Sequence, residues 1–196
     1  MQARKEVRLA HYERFMGSSF TLGAGVEESP FVDLCVFPPN PLKGRNYYTL
    51  ATDGLSDLSL FSPSGRATFP AVEVLAYTES VSGEAFSVRF MQALARAMAD
   101  PGWNWTEGRP VNALDIDPAI PADARARHLM LLPPVREWPG FEVRRYTNGS
   151  EVRFLWAALL AVPEWKAAQA GREDILARLK SADPPPFLDP TRPSLI

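Results

Sequence analysis

Between Glu151 and Leu160 the chain reads Glu-Val-Arg-Phe-Leu-Trp-Ala-Ala-Leu-Leu, and beyond Arg153 both alternating sets of residues are apolar. As a strand, this segment would present Phe154, Trp156 and Ala158 on one face and Leu155, Ala157 and Leu159 on the other. A strand apolar on both faces belongs at the centre of a sheet that is covered on both sides. A buried helix is the competing reading, because Ala and Leu are good helix formers. The strand reading is favoured.

The rest of the chain supplies material for such a sheet. Val32, Leu34 and Val36 alternate with Asp33, Cys35 and Phe37 up to Pro38-Pro39. Tyr47 to Thr52 and Ala71 to Tyr77 follow as strands, the latter with Val72 and Val74 on one face and Glu73 and Leu75 on the other. Further strands are expected at Val111–Ile116, His128–Leu132 and Phe141–Tyr146, the last joined to Glu151–Leu160 by a hairpin turn at Asn148-Gly149. Nineteen prolines include the runs Pro38-Pro39, Pro133-Pro134 and Pro184-Pro185-Pro186. Proline cannot donate to a ladder, so these runs mark where strands stop.

Helices are expected at four places. Residues 3–16 interleave Val7, Ala10, Tyr12, Phe15 and Met16 with Arg4, Arg8 and Arg14. From Glu84 to Ala99, Phe86, Phe90, Leu94 and Ala97 form one helical stripe, ended by Asp100-Pro101-Gly102. Pro163-Glu164 suits a first helical turn. Arg172 to Lys180 carries acids early and bases late, as the helix dipole prefers. The expected architecture is α+β: one mixed α/β domain over residues 1–182, a largely antiparallel mixed sheet with helices packed on it, and a proline-rich extended tail over 183–196.

Composition bounds the function. The formal net charge is −2, which does not suit a nucleic-acid or acidic-membrane surface. The single cysteine, Cys35, fits a reducing compartment, and the charged start Met1-Gln2-Ala3-Arg4-Lys5-Glu6 is unlike a signal peptide. The longest apolar run, Phe154 to Val162, is far short of the roughly 18 residues of a membrane span. A soluble, cytoplasmic protein with neither nucleic-acid nor membrane partner is expected.

Catalytic residue types are scarce. Nucleophilic chemistry at Cys35 needs an imidazole, and the chain has two, His11 and His128. Cys35 lies in an apolar strand, where cysteine acts as a small core residue. Two histidines and one cysteine without ligand spacing make no zinc site unless carboxylates join. Asp115 and Asp117 would share one strand face, but Pro118 follows and a solvated strand end is the blander reading. Gly23-Ala24-Gly25 lacks the further residues of a phosphate loop, and Ser62-Pro63-Ser64-Gly65 reads as a turn. No catalytic residue, cofactor or metal is expected.

One segment remains. Asn46-Tyr47-Tyr48-Thr49-Leu50-Ala51-Thr52-Asp53-Gly54-Leu55-Ser56-Asp57 reads as a strand running into a glycine turn closed by Ser and Asp. It resembles the hallmark of the Suppressor of fused domain, a strand ending in threonine-x-Gly-Leu/Met-Ser-Asp. The resemblance extends over about residues 28–180: Val32 to Val36, Glu73-Val74-Leu75, the helix from Phe86, Trp103 with Asn112 to Leu114, Met130-Leu131-Leu132-Pro133-Pro134, Val152-Arg153-Phe154-Leu155 and Glu164. Ala158-Leu159-Leu160 stands where the family has a proline before a Leu-Tyr pair. The chain is also too short for the second domain of the animal member.

The resemblance implies a protein-binding module, and single-domain bacterial members suggest an immunity protein that neutralises a polymorphic toxin. The rival readings are a carboxylate- or metal-dependent hydrolase, with Asp57 as base, and a regulatory or structural domain with no toxin partner. Gly54, Leu55, Ser56 and Asp57 form the structural motif, in which the Asp and Ser side chains after the Gly-Leu turn are expected to bond local backbone amides and hold the loop. Asp53, Asp57, Trp103 and Trp105 are the candidates for partner binding. Trp103, Trp105 and Trp138 supply the aromatic area that interfaces favour.

Overall fold

A computed structural model describes residues 2–22, 32–58, 71–83, 85–100, 107–171 and 173–196. Trp103, Trp105, Gly23, Gly25, Glu84 and the Ser62–Gly65 turn lie outside the described residues. Helix α1 (Gln2–Met16) opens the chain, followed by strands β1 (Phe20–Leu22), β2 (Asp33–Phe37) and β3 (Tyr48–Asp53). A single helical turn, α2 (Leu55–Leu58), leads to β4 (Val72–Thr78) and helix α3 (Phe86–Ala99). Strands β5 (Val111–Asn112), β6 (Ala126–Leu132), β7 (Val143–Arg145) and β8 (Glu151–Ala161) come next, then helices α4 (Val162–Gln169) and α5 (Glu173–Ser181).

The strands form one mixed sheet in the order β1-β2-β3-β4-β8-β6-β5, with β7 paired to the first part of β8. Among the described strands β4 and β8 run parallel, Val74 opposite Leu155, and every other pairing is antiparallel. β8 is the central strand that its two apolar faces demanded. Leu155, Ala157 and Leu159 join Leu34, Leu50, Val74 and α3 residues Phe90, Met91 and Leu94 on one side. Phe154, Trp156, Ala158 and Leu160 join Phe37, Leu75 and Tyr77 on the other, beneath Tyr12 and Met16 of α1 and Ile175 and Leu179 of α5. The result is a sheet between two helical layers.

The β7–β8 hairpin turns at Asn148-Gly149, where Gly149 has φ 80° and the Asn148 side chain accepts a bond from the Ser150 amide. Three expectations need correction. The strand expected at Val111–Ile116 ends after two residues, because Asn112 Oδ1 accepts from the Leu114 amide and starts a 3-10 turn over Ala113–Asp115. Asp115 and Asp117 therefore share no strand face, and Asp117 instead caps the Ala119 amide at 2.9 Å. The glycine turn after Asp53 continues into α2, with Gly54 at φ 115° redirecting the backbone, a conformation natural to glycine. Edge strand β1, paired to β2 through Thr21 opposite Cys35, carries no sequence signal.

The segment after α5 contains neither helix nor strand, yet it is packed against the sheet. Leu188 is buried and its amide bonds the Tyr77 carbonyl, while Pro190 accepts from the Arg125 and Ala126 amides.

Candidate functional site

The motif residues converge beneath α1. β3 brings Thr52 and Asp53, α2 brings Ser56 and Asp57, and β4 brings Glu73, all at most 3% exposed. Glu73 organises the loop. Its Oε1 accepts from the Gly54 amide at 3.1 Å, the Ser56 amide at 3.0 Å and Ser56 Oγ at 2.6 Å. Its Oε2 accepts from Thr52 Oγ1 at 2.7 Å, and that hydroxyl in turn accepts from the Val74 amide. One carboxylate thus fixes the start of α2 and joins it to both strands.

Three buried carboxylates in one place need a cation, and α1 supplies it. Arg8 is 1% exposed. Its Nε donates to Asp53 Oδ1 at 2.6 Å and lies 3.4 Å from Glu73 Oε1, and its Nη1 donates to Asp57 Oδ2 at 2.9 Å. Lys5 bonds Asp33 and stands 3.9 Å from Asp53, and Arg4 stands 3.8 Å from Asp57 and over the Tyr146 ring. One turn along α1, the Tyr12 hydroxyl donates to the Thr52 carbonyl at 2.7 Å.

Burial dominates the electrostatics. It pushes the Glu73 carboxyl up to about 7, against the pull of Arg8, Ser56 and Thr52. Asp53 is raised for the same reason, with Arg8 opposing. The three carboxylates hold Arg8 firmly in its charged form despite its own burial. Among the described residues, Asp53 Oδ2 and Asp57 Oδ1 have no hydrogen-bond donor.

The structure therefore brings Asp53, Ser56 and Asp57 together, buried beneath α1, while Leu55 packs on the α3 side of the sheet; Asp57 bonds Arg8 where a local backbone amide was expected. Sequence reasoning missed Glu73 and Arg8 as parts of this site. Glu73 was legible as a charged residue on the face shared with Leu75, and three acids around one motif called for a buried base.

The other candidates disperse. Cys35 is buried, and burial pushes its thiol up to about 12. His11 donates from Nε2 to the Phe141 carbonyl at 2.9 Å and stacks on Phe154, and burial lowers its pKa. His128 stacks on Trp165 with ring centroids 4.1 Å apart. Trp138 is 61% exposed. Among the described residues no group of three or more His, Cys, Asp or Glu side chains is placed to hold a metal ion, and no helix is long and apolar enough to cross a membrane.

The family model of the Suppressor of fused protein matches residues 29–193. The chain belongs to the Suppressor of fused family. No curated protein sequence matches it. Solved structures of family members share its fold. A Suppressor of fused homologue from Neisseria gonorrhoeae superposes with a TM-score of 0.64 at 18% identity, covering 100% of this chain and 98% of that one. The Sufu-Fu complex gives 0.61 at 12% identity, over 99% of this chain and 91% of that one. Drosophila Suppressor of Fused gives 0.60 at 12%, with 97% of this chain covering 50% of that one. The loop that Glu73 and Arg8 hold lies within the matched residues.

Proposed function

We infer that the protein is a non-catalytic protein-binding module, acting in the bacterial cytoplasm as an immunity protein that neutralises a toxin domain. The observation that carries the non-catalytic part is the engagement of the motif's charges with one another. Asp57, the base a hydrolase would use, is 3% exposed and bonded to Arg8. A general base must reach a substrate proton, and this one faces a guanidinium. Family membership and a relative solved as the Sufu-Fu complex support binding to a protein. A bacterial relative of matching length supports a bacterial setting.

In this reading the partner meets the surface over the Asp53–Asp57 loop, with Trp103 and Trp105 as aromatic anchors. Asp53 and Asp57 serve by fixing the loop from beneath. The test is co-expression with the toxin-like protein encoded directly upstream: rescue of growth and a stable complex are expected. Trp105→Ala should then weaken that complex by on the order of 2 kcal/mol or more with little change in melting temperature. Loss of about 3–5 kcal/mol of stability with unaltered affinity would instead make Trp105 a core residue. Turnover in a hydrolase screen, abolished by Asp57→Ala without unfolding, would replace the binding reading by the enzymatic one. Absence of any toxin gene beside this one would favour a regulatory or structural domain.

A further inference from the structure

An open cleft of about 320 Å³ lies between α1 and β7. Glu6, Val7, Ala10, His11 and Arg14 line it from α1, and Arg144 lines it from β7. Val7, Ala10, His11 and Arg14 follow the i, i+3, i+4, i+7 spacing of one helix face. Arg144 stands opposite Val152, which is buried in the core cluster beneath α1, so its side chain leaves the sheet on the α1 side.

The two arginines of this cleft are set apart by what they lack. Earlier on α1, Arg4, Lys5 and Arg8 reach Asp57, Asp33 and Asp53 in turn, and beside Arg144, Arg145 pairs with Glu151. Among the described residues neither Arg14 nor Arg144 forms an ion pair, and Arg14 lies over the Phe15 ring, 5.4 Å from its centroid. Glu6 stands two turns before Arg14, about 12 Å along the helix axis, with Val7 and Ala10 between them. His11 is 6% exposed and stacks on Phe141 and Phe154. Its Nε2 is bonded to the Phe141 carbonyl, so Nδ1 is the ring nitrogen left to meet a group in the cleft.

We propose that this cleft binds an acidic, carboxylate-bearing segment of a partner protein, clamped by Arg14 and Arg144 from its two walls, and that His11 takes up a proton when the segment binds. The inference rests on the protein-binding reading and adds a second contact surface with its chemistry. Guanidinium groups bind carboxylates through charge-assisted bonds, and here two unpaired ones share one opening with apolar Val7 and Ala10. A nucleic-acid strand needs a longer basic track than two arginines beside Glu6 offer on a chain of net charge −2. Proton uptake follows from the groups that face His11: Arg14 from α1, Arg144 and Glu142 from the β7 segment, and the rings of Phe15, Phe141 and Phe154. Burial lowers its pKa, and Arg144 and Arg14 lower it further, against the Phe141 carbonyl and Glu142. A carboxylate between the guanidiniums offsets their effect on the ring. Binding and protonation then favour each other, and affinity rises as pH falls.

The test uses the full-length protein and fluorescein-labelled hexaglutamate, read by anisotropy at pH 6 and low salt. Saturable binding is expected, weaker by about tenfold or more in Arg14→Ala/Arg144→Ala and nearly unchanged in Arg89→Ala/Arg96→Ala, a matched pair on α3. All four positions are exposed, so both variants keep the fold, which circular dichroism checks. Proton NMR gives the second readout: saturating peptide should raise the pH at which His11 titrates and leave His128 unmoved. No saturable binding, equal losses in the two double variants, or arginine-dependent binding with an unmoved His11 overturns the proposal. Displacement of the peptide by inorganic phosphate or oligouridylate at lower concentration than by unlabelled hexaglutamate would assign the cleft to phosphates and remove the protein partner. None of these measurements needs a toxin, so failure of the immunity reading and failure of the cleft are told apart.

Discussion

Two buried arginines close the two ends of this chain onto the same sheet, and they do so differently. Arg192, in the segment after α5, meets Glu164 one to one. Its Nη1 and Nη2 donate to Oε1 and Oε2 at 2.9 and 2.6 Å, and its Nε donates to the Leu159 carbonyl. Glu164 also accepts from the Ala161 and Leu195 amides. Each charge there is matched and each carboxylate oxygen is bonded. Arg8 instead faces three acids, one of them held near neutral pH for ionisation, with two oxygens lacking donors. A complete fork-to-fork pair fixes geometry. A guanidinium shared among three buried acids, with Arg4 and Lys5 standing 3.8 and 3.9 Å from the two oxygens that lack donors, leaves a region whose charge state changes with pH.

The largest effect that would break this comparison is on Arg8. Arg8→Ala leaves Asp53, Asp57 and Glu73 buried without their cation, and should cost about 3–5 kcal/mol in urea unfolding at pH 8. The cost should shrink at pH 5, where the Glu73 carboxyl, raised to about 7, takes up its proton. A loss below about 1 kcal/mol, insensitive to pH, would mean that the acids do not depend on α1.

The next effect sharpens the contrast through Glu73. The Glu73 carboxyl in the folded state, at about 7, lies above its ordinary 4.5. Between those values the native protein holds a proton that the unfolded chain has released. Its contribution therefore favours folding at low pH and is lost as pH rises through that window, by about 1.4 kcal/mol per unit and up to about 3 kcal/mol in all. Asp53, also raised, works in the same sense. His11, lowered by burial, works in the opposite sense, its stabilisation being lost as pH falls. The clean measurement is thus the difference between the unaltered protein and Glu73→Gln, in which Asp53 and His11 are common to both. That difference should change steadily from pH 4.5 to 7 and level off above. A flat difference would show that Glu73 is fully ionised across the window.

The two clamps also mark where the sequence was legible. β8 announced its place because an alternating pattern with two apolar faces has few other uses, and the hairpin at Asn148-Gly149 announced its turn. The turn after β3 was legible as Gly54-Leu55-Ser56-Asp57. Arg8 and Arg192 were not legible, for a physical reason. Periodicity sorts residues by polarity, so an arginine between apolar residues reads as the solvent face of a helix, and one in a proline-rich tail reads as exposed. A charged group is buried only when a specific acid waits for it in three dimensions, and periodicity carries no such pairing. Glu164 shows the same limit: it read as an acid in the first turn of a helix, and in the structure it is the receptor for a residue 28 positions later.

The smallest effect tests whether the C-terminal clamp depends on geometry or on charge alone. Arg192→Lys keeps the positive charge but replaces a planar fork with a single ammonium on a shorter reach. The ammonium cannot serve both oxygens of Glu164 and the Leu159 carbonyl together, so one buried acceptor loses its donor. The expected cost is about 1–2 kcal/mol, read as a lower urea midpoint with an unchanged slope. Because the pair is shielded from solvent, with side chains 8% and 0% exposed, the cost should hardly vary between low and high salt. A cost that vanishes at high salt would show that Arg192 acts as a surface charge, and the contrast with Arg8 would then be one of exposure rather than of a one-to-one and a shared pairing.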